Sequence, residues 1–146
     1  MAMIKKVRVD AKSLEGFEIE TTARQFKATI DQPVSGGGKD AGPNPLEYLF
    51  MSLAGCIVTI GKIIVKQERL PVQDINVVVE GTLDADVLMG KSNNGTRAGF
   101  NAVTVTTTIN GDLTQEEKER LLERIDARCP ISDNIHQMTP ISFVVH

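Results

Sequence analysis

The 146-residue sequence has little net charge and no long hydrophobic run, and each shortage excludes a class of protein. Its 16 basic and 19 acidic residues leave a net charge of −3, which argues against nucleic acid as the main partner because phosphate binding needs a basic face. No stretch reaches the ~18 uninterrupted apolar residues of a membrane span, so a membrane is not an expected partner. The first residues, MAMIKKVRVDAK, carry no apolar core behind their lysines, as a secretory signal would. We therefore expect a cytoplasmic protein.

Cysteine is equally scarce, since only Cys56 and Cys129 occur in the chain. Two cysteines do not make a disulfide framework, and in a reducing compartment thiols are more often catalytic, metal-binding or simply buried. The sequence has no CxxC spacing, which argues against a zinc site formed with its two histidines. A chain of this length suits one domain with its own hydrophobic core. We expect a single domain over residues 1–146, with no metal.

Alternation of apolar and polar residues predicts several strands. The first three are expected to form an antiparallel meander with short turns. Residues 32–44 hold four glycines and two prolines, which is loop composition, and a long connection is predicted over residues 84–99. The predicted strands are Lys5–Asp10, Gly16–Thr22, Gln25–Asp31, Ile75–Leu83, Phe100–Ile109 and Ile141–Val145.

The first predicted helix has a clear start. Asn44 is a good N-cap, Pro45 suits the first helical position, and the Glu47 carboxylate lies three residues after the cap. The segment is apolar on nearly every face as far as Lys62, which predicts a helix buried in a core or a subunit interface. Pro71 ends it.

A second helix is predicted from the capping box of Thr114 and Glu117 to about Arg128, and a short helical piece follows through about Met138. Strands, a central helix, more strands, a helix and a closing strand predict an α+β fold.

The two cysteines differ in their surroundings. Cys56 lies about two and a half turns into the apolar helix, where a free cysteine is often buried and inert. Cys129 lies between Arg128 and Pro130 at a helix end, so its thiol either points at a neighbouring element or lies at the start of the next helix. A helix N-terminus and a guanidinium both lower the pKa of a thiol. No local motif requires the two thiols to meet, so only the fold can bring them together.

Four charged or titratable residues are further candidates, and each has a simpler structural explanation. Glu47 suffices as a helix cap, and its functional alternative is to hold an arginine beside a thiolate. Arg24, in a predicted turn, and Arg97, in a glycine-flanked loop, are the candidate arginines, although either is equally a solvated surface charge. His136 is a candidate base, but a histidine on a short polar helix is more often a surface residue.

The stretch GGGKDAGPNPLEYLFMSLAGC, followed by INGDLTQEE and then CPISDNI, resembles the OsmC/Ohr family, the osmotically inducible protein C and organic hydroperoxide resistance group. The glycine-rich loop, the N-P-x-E helix start, the A-G-C run and the late C-P-x-S occur in the family's order from Asp31 to the end. The resemblance implies antiparallel sheets around a long buried central helix. It also implies an intertwined homodimer with two active sites at the subunit interface.

The resemblance further implies a thiol-dependent peroxidase acting on organic hydroperoxides or hydrogen peroxide, with Cys56 peroxidatic and Cys129 resolving. The Cys56 thiolate attacks the peroxide, becomes a sulfenic acid and condenses with Cys129, and an external thiol reductant, such as a lipoyl-type dithiol, reopens the disulfide. A working nucleophile of this kind has a thiol pKa well below ~8.5. Glu47 occupies the N-P-x-E position, Arg24 lies in the N-terminal strand region where the family has its arginine, and no bound cofactor is implied. The apolar residues near the helix suit bulky organic peroxides.

Two alternatives stay open on the sequence. A non-catalytic OsmC-like dimer would bind a small apolar ligand or sense redox state. Glu47 favours it slightly, because in the organic hydroperoxide branch the acid directly follows the proline, about 100° away around a helix. In the other alternative, both cysteines are core residues of an obligate dimer.

Overall fold

The computed structural model describes residues 1–91 and 95–146, so part of the predicted connection over 84–99 lies outside the described residues. The chain groups into two compact units, residues 1–49 and 50–146, and each is described by itself. The single domain over residues 1–146 stays a prediction. The mixed helices and antiparallel sheets confirm the α+β fold class.

The first unit contains the predicted antiparallel meander, in the order β1-β2-β3. Its strands are β1 (Asp10–Ser13), β2 (Ile19–Ala23) and β3 (Phe26–Ile30). The position predicted for the first strand, Lys5–Asp10, is wrong, because β1 begins where that segment ends. Asp10 pairs with Thr22, near the end of β2. Residues before Asp10 therefore lie beyond the end of β2 and have no strand to pair with there. Val7 and Val9 are accordingly exposed.

The predicted loop after β3 is confirmed, and the buried Asp31 organises it. The Asp31 carboxylate accepts the backbone N–H groups of Gln32, Lys39 and Ala41 at 2.7, 3.1 and 3.1 Å. These bonds, from Ala41 first and Gln32 next, hold the pKa of Asp31 below its ordinary value. A Cβ atom at Gly38 would lie 2.0 Å from the Gln32 carbonyl oxygen, so only glycine fits this close approach.

Helix α1 (Pro45–Glu68) begins as predicted, with the Glu47 N–H donating to Asn44 Oδ1 at 2.9 Å. Burial on every side is not what the single chain shows. One stripe is buried, formed by Leu53, Ile57, Gly61 and Ile64. Apolar side chains on its other faces are exposed, namely Leu46, Leu49, Met51 and Ile63. By length and composition alone α1 is apolar enough to cross a membrane, with a mean hydropathy of 2.0, but the core helix of a soluble protein passes the same test, so the expectation that a membrane is not a partner is unchanged.

The second unit pairs two long antiparallel strands, β4 (Val72–Leu83) and β5 (Phe100–Gly111). Both predicted strands are confirmed and are longer than expected. A short helix, α2 (Ala85–Leu88), follows β4. A Cβ atom at Gly61 would lie 2.6 Å from Ile75 Cδ1, so close packing of α1 on β4 explains a glycine that costs a helix about 1 kcal/mol.

Helix α3 (Gln115–Arg128) starts with the predicted capping box of Thr114 and Glu117, and helix α4 (Pro130–His136) follows after one residue. Both predicted helices are thereby confirmed. Leu121 and Ile125 turn inward from α3. The core of the second unit consists of Leu53, Ile57, Ile64, Ile75, Ile109, Leu121, Ile125 and Cys129.

The predicted final strand Ile141–Val145 is wrong for the single chain, because the structure has no strand in these described residues. Phe143 is 90% and Val145 93% exposed. A strand exists only where another strand accepts its backbone hydrogen bonds, and the described pairings of β4 are all with β5. Residues 141–145 therefore have the alternating pattern of a strand but no partner strand in the described structure.

Candidate functional site

The two cysteines, far apart in sequence, lie together in the second unit. Cys56 is half-buried on α1, whereas Cys129, between α3 and α4, is only 1% exposed. Both thiols are free, and Cys56 packs against the buried core that contains Cys129, close enough for Cys129 to raise its pKa. The fold therefore makes the contact that no local motif required.

Cys129 occupies the corner between α3 and α4 as the N-cap of α4. Its sulfur accepts the backbone N–H of Ser132 at 3.4 Å, and Pro130 takes the first helical position. Its own backbone N–H donates to the Asp126 carbonyl oxygen at 3.1 Å. Both positions that the sequence allowed for this thiol are thus realised, since it caps the next helix and also meets Cys56.

The electrostatic surroundings of Cys56 favour the neutral thiol. Burial raises the pKa of Cys56 above its ordinary value, and the hydrogen bond with Cys129 raises it further. A backbone hydrogen bond at Ile131 works in the opposite direction, because an N–H donor stabilises the thiolate. The expected low pKa of a working nucleophile is therefore not produced by these contacts, and a thiolate would need an additional cation.

Glu47 and Arg24 belong to the first unit, and both are exposed. Glu47 lies in the first turn of α1. Arg24 lies in the two-residue turn between β2 and β3 with a positive φ of 56°, and its guanidinium stacks 4.9 Å above the ring of Phe26. Arg24 is thus an exposed charge, and Glu47 is an acidic residue in the first turn of α1, as their structural explanations require. Their roles beside the thiolate stay predictions.

The other two candidates lie in the second unit. Arg97 is exposed just before β5 and lies over Gly99, where a Cβ atom would come within 2.9 Å of its guanidinium. His136 is the last residue of α4 and lines a groove. Neither is among the groups that shift the pKa of Cys56.

That groove has a volume of about 510 Å³ and lies between α1, β5, α3 and α4. Its wall adjoins the cysteine pair, because Ser132 both lines the groove and donates to the Cys129 sulfur. The predicted apolar pocket has a counterpart here, although the sequence did not show which residues form it. The apolar lining residues are Leu53, Ile57, Val103, Val105, Leu122 and Ile135, and the acidic ones are Glu119, Glu123 and Asp126.

Sequence reasoning missed Ser132 and Asp126, whose side chains hydrogen-bond to each other next to Cys129. The available signal was the position of Ser132 three residues after an N-cap, where a backbone N–H meets the capping side chain. Within residues 1–91 and 95–146, no cluster of three or more histidine, cysteine or acidic side chains is arranged to hold a metal ion.

The fold is mixed α+β, and both free cysteines lie in its second unit. The family model described as OsmC-like protein matches residues 36–144, and the chain belongs to this family. Comparison with curated proteins gives no match.

Solved structures share the fold at low sequence identity. An OsmC-like protein from Mycoplasma pneumoniae is 18% identical with a TM-score of 0.80, covering 93% of this chain and 91% of that one. A Legionella pneumophila structure described as an organic hydroperoxide resistance protein OsmC and predicted redox protein is 22% identical with a TM-score of 0.68, covering 92% and 91%. An organic hydroperoxide resistance protein from Elizabethkingia anophelis is 18% identical with a TM-score of 0.71, covering 94% and 93%.

Proposed function

We propose that the protein is a thiol-dependent peroxidase that reduces organic hydroperoxides through Cys56 and Cys129. The observation that carries this proposal is that the two free thiols, one half-buried and one fully buried, lie together in the core of the second unit. The substrate class is supported by the Legionella and Elizabethkingia proteins, which are named organic hydroperoxide resistance proteins.

The chemistry needs both sulfurs and an external reductant. The Cys56 thiolate attacks the peroxide, a sulfur–oxygen bond forms as the oxygen–oxygen bond breaks, and the alkoxide takes up the proton that the thiol lost and leaves as the alcohol. The Cys129 sulfur then attacks the sulfenic acid, which gives a disulfide and releases water. A dithiol reductant, a lipoyl-type thiol being one class, reopens the disulfide by exchange. No bound cofactor takes part in these steps.

The proposal includes an intertwined homodimer in the cytoplasm. Two sets of exposed apolar side chains in the single chain support it, and a second copy would remove them from water. One set lies on α1 and includes Leu49, Met51 and Ile63, and the other lies in the tail after α4 and includes Phe143 and Val145. We propose that Arg24, oriented by Glu47, supplies the cation that ionises Cys56.

Peroxide consumption by purified, pre-reduced protein with a dithiol tests the function. Wild type should consume cumene hydroperoxide, the Cys56→Ser variant should not, and Cys129→Ser should accumulate over-oxidised Cys56 because its sulfenic acid has no partner. Hydrogen peroxide serves as the matched substrate lacking an apolar body. If wild type is no faster than Cys56→Ser with either peroxide, the proposal fails.

A second candidate is binding of a small apolar ligand without catalysis. The 510 Å³ groove and the raised pKa of Cys56 favour it. Alkylation of Cys56 measured against pH separates the two functions, provided that the native dimer is used. A midpoint above ~8.5 together with no peroxide consumption would favour ligand binding over catalysis.

A further inference from the structure

Ser132 is an unusual residue in the second unit, because it is polar and only 7% exposed. Its two donors serve two different groups. The hydroxyl donates to Asp126 Oδ1 and the backbone N–H donates to the Cys129 sulfur at 3.4 Å. Since a buried hydroxyl needs a hydrogen-bond partner, the bond to Asp126 fixes the position of Ser132. The bond from the Ser132 N–H then fixes the position of the Cys129 sulfur.

Asp126 holds the corner between α3 and α4 from the other side. Its carbonyl oxygen accepts the N–H of Cys129 at 3.1 Å, while its carboxylate accepts the hydroxyl of Ser132. The Cys129 carbonyl oxygen in turn accepts the N–H of Asp133 at 3.0 Å. Asp126 therefore hydrogen-bonds to both ends of the four-residue segment from Cys129 to Ser132.

We propose that Ser132 and Asp126 are positioning residues that hold the Cys129 sulfur against Cys56 for disulfide formation. The inference rests on the proposed peroxidase function, of which disulfide formation is the second step. In that step the Cys129 sulfur attacks the sulfenic sulfur of Cys56, a sulfur–sulfur bond forms and the sulfur–oxygen bond breaks. The thiol proton of Cys129 leaves with the hydroxyl group as water. The rate depends on the approach of the two sulfurs, which the corner controls.

An equilibrium measurement tests the positioning without any peroxide. Each full-length variant is equilibrated in glutathione redox buffers, and the Cys56–Cys129 disulfide is quantified by mass spectrometry. We expect Ser132→Ala and Asp126→Asn to lower the equilibrium constant for disulfide formation about tenfold, because the effective concentration of one thiol at the other falls. Ser132→Thr retains the hydroxyl and should restore the wild-type value. Asp133→Asn removes one exposed charge from the same corner and is the matched control.

A kinetic measurement tests the catalytic step. After one equivalent of cumene hydroperoxide, dimedone trapping should show sulfenic acid on Cys56 in Ser132→Ala and Asp126→Asn, and its conversion to the disulfide is then followed separately. Disulfide formation should be about tenfold slower than in Asp133→Asn, since misplacement of reacting groups is costly. Circular dichroism confirms that each variant is folded, and Asp126→Asn keeps the side-chain volume if Ser132→Ala unfolds.

Equal disulfide equilibria and rates in the folded variants and in Asp133→Asn would overturn the positioning role. The two proposals fail separately. A wild-type protein that never forms sulfenic acid contradicts the peroxidase function, and the glutathione equilibrium still decides whether Ser132 and Asp126 position the sulfur.

Discussion

The corner between α3 and α4 and the turn between β2 and β3 each carry one residue of the predicted site, and they hold it in different ways. Cys129 is buried, and its N–H, its carbonyl oxygen and its sulfur all take part in hydrogen bonds. Arg24 is exposed, and its guanidinium is held by stacking on Phe26. A fully bonded, buried side chain has one position, whereas an exposed arginine exchanges rotamers on a fast timescale. The sulfur is therefore placed before substrate arrives, and a cation at the turn would need to be ordered by binding or assembly.

The largest effect expected from this comparison comes from Arg24. If its guanidinium ionises Cys56, Arg24→Asn should slow the reaction with cumene hydroperoxide about tenfold or more, because an adjacent cation shifts a thiol equilibrium by at least that factor. Asparagine tolerates the positive φ of 56° at this turn, so the variant should keep its fold. The measurement is the rate of Cys56 oxidation under single-turnover conditions.

Arg97→Gln is the matched control for that experiment, since Arg97 is the other candidate cation. If Cys56 is oxidised at an unchanged rate in Arg24→Asn but more slowly in Arg97→Gln, the activating cation is Arg97, in the loop before β5. An unchanged rate in both variants would leave neither arginine as the activating cation.

Predictions from the sequence succeeded where the signal is local. The cap of α1 at Asn44 and the capping box at Thr114 need only a few neighbouring residues, and both are present. The contact between Cys56 and Cys129 followed from a family resemblance, because no property of either segment determines it. The boundary of β1 was misplaced because the end of β2, its partner, limits how far the pairing extends. The strand predicted at 141–145 has no partner strand among the described residues of the single chain.

Ser132 and Asp126 illustrate the same limit at the site. Ser132 looks like an ordinary residue of a short helix in the sequence, and Asp126 looks like one of many charges on α3. Their hydrogen bond forms across the single residue, Cys129, that joins α3 to α4. The angle of that corner is a property of tertiary packing, which residue spacing does not supply.

A smaller effect is expected on the ionisation of Cys56 when its buried partner is removed. The Cys129 hydrogen bond and its charge both raise the pKa of Cys56, so Cys129→Ala should lower that pKa. Alkylation of Cys56 by iodoacetamide, followed against pH, should then reach half its maximum at a lower pH than in wild type. Burial is the largest cause that raises this pKa and is retained in the variant, so Cys129→Ala should remove only part of the rise.

The stability of the protein gives an independent check on that direction. A thiol whose pKa is raised by folding keeps its proton in the native state, while the unfolded chain loses it from about pH 8.5 upward. Wild type should therefore lose more stability than Cys129→Ala as the pH rises above that value, because Cys129 raises the pKa of Cys56 only in wild type. A steeper loss in Cys129→Ala would contradict the assignment of the Cys129 contact as a cause that raises the pKa of Cys56.

The smallest effect is expected at Glu47, where a cap and a catalytic role make different predictions. As a cap, its carboxylate contributes about 0.3–1 kcal/mol through the positive end of α1, so Glu47→Gln should lower the free energy of unfolding by that amount. As the group that orients Arg24, it should also slow peroxide reduction, but less than Arg24→Asn does. Asn44→Ala is the control, because it removes the 2.9 Å bond to the Glu47 N–H and leaves the carboxylate in place. A slow Glu47→Gln beside a fully active Asn44→Ala would assign the carboxylate to the chemistry, whereas equal activities would leave it a helix cap.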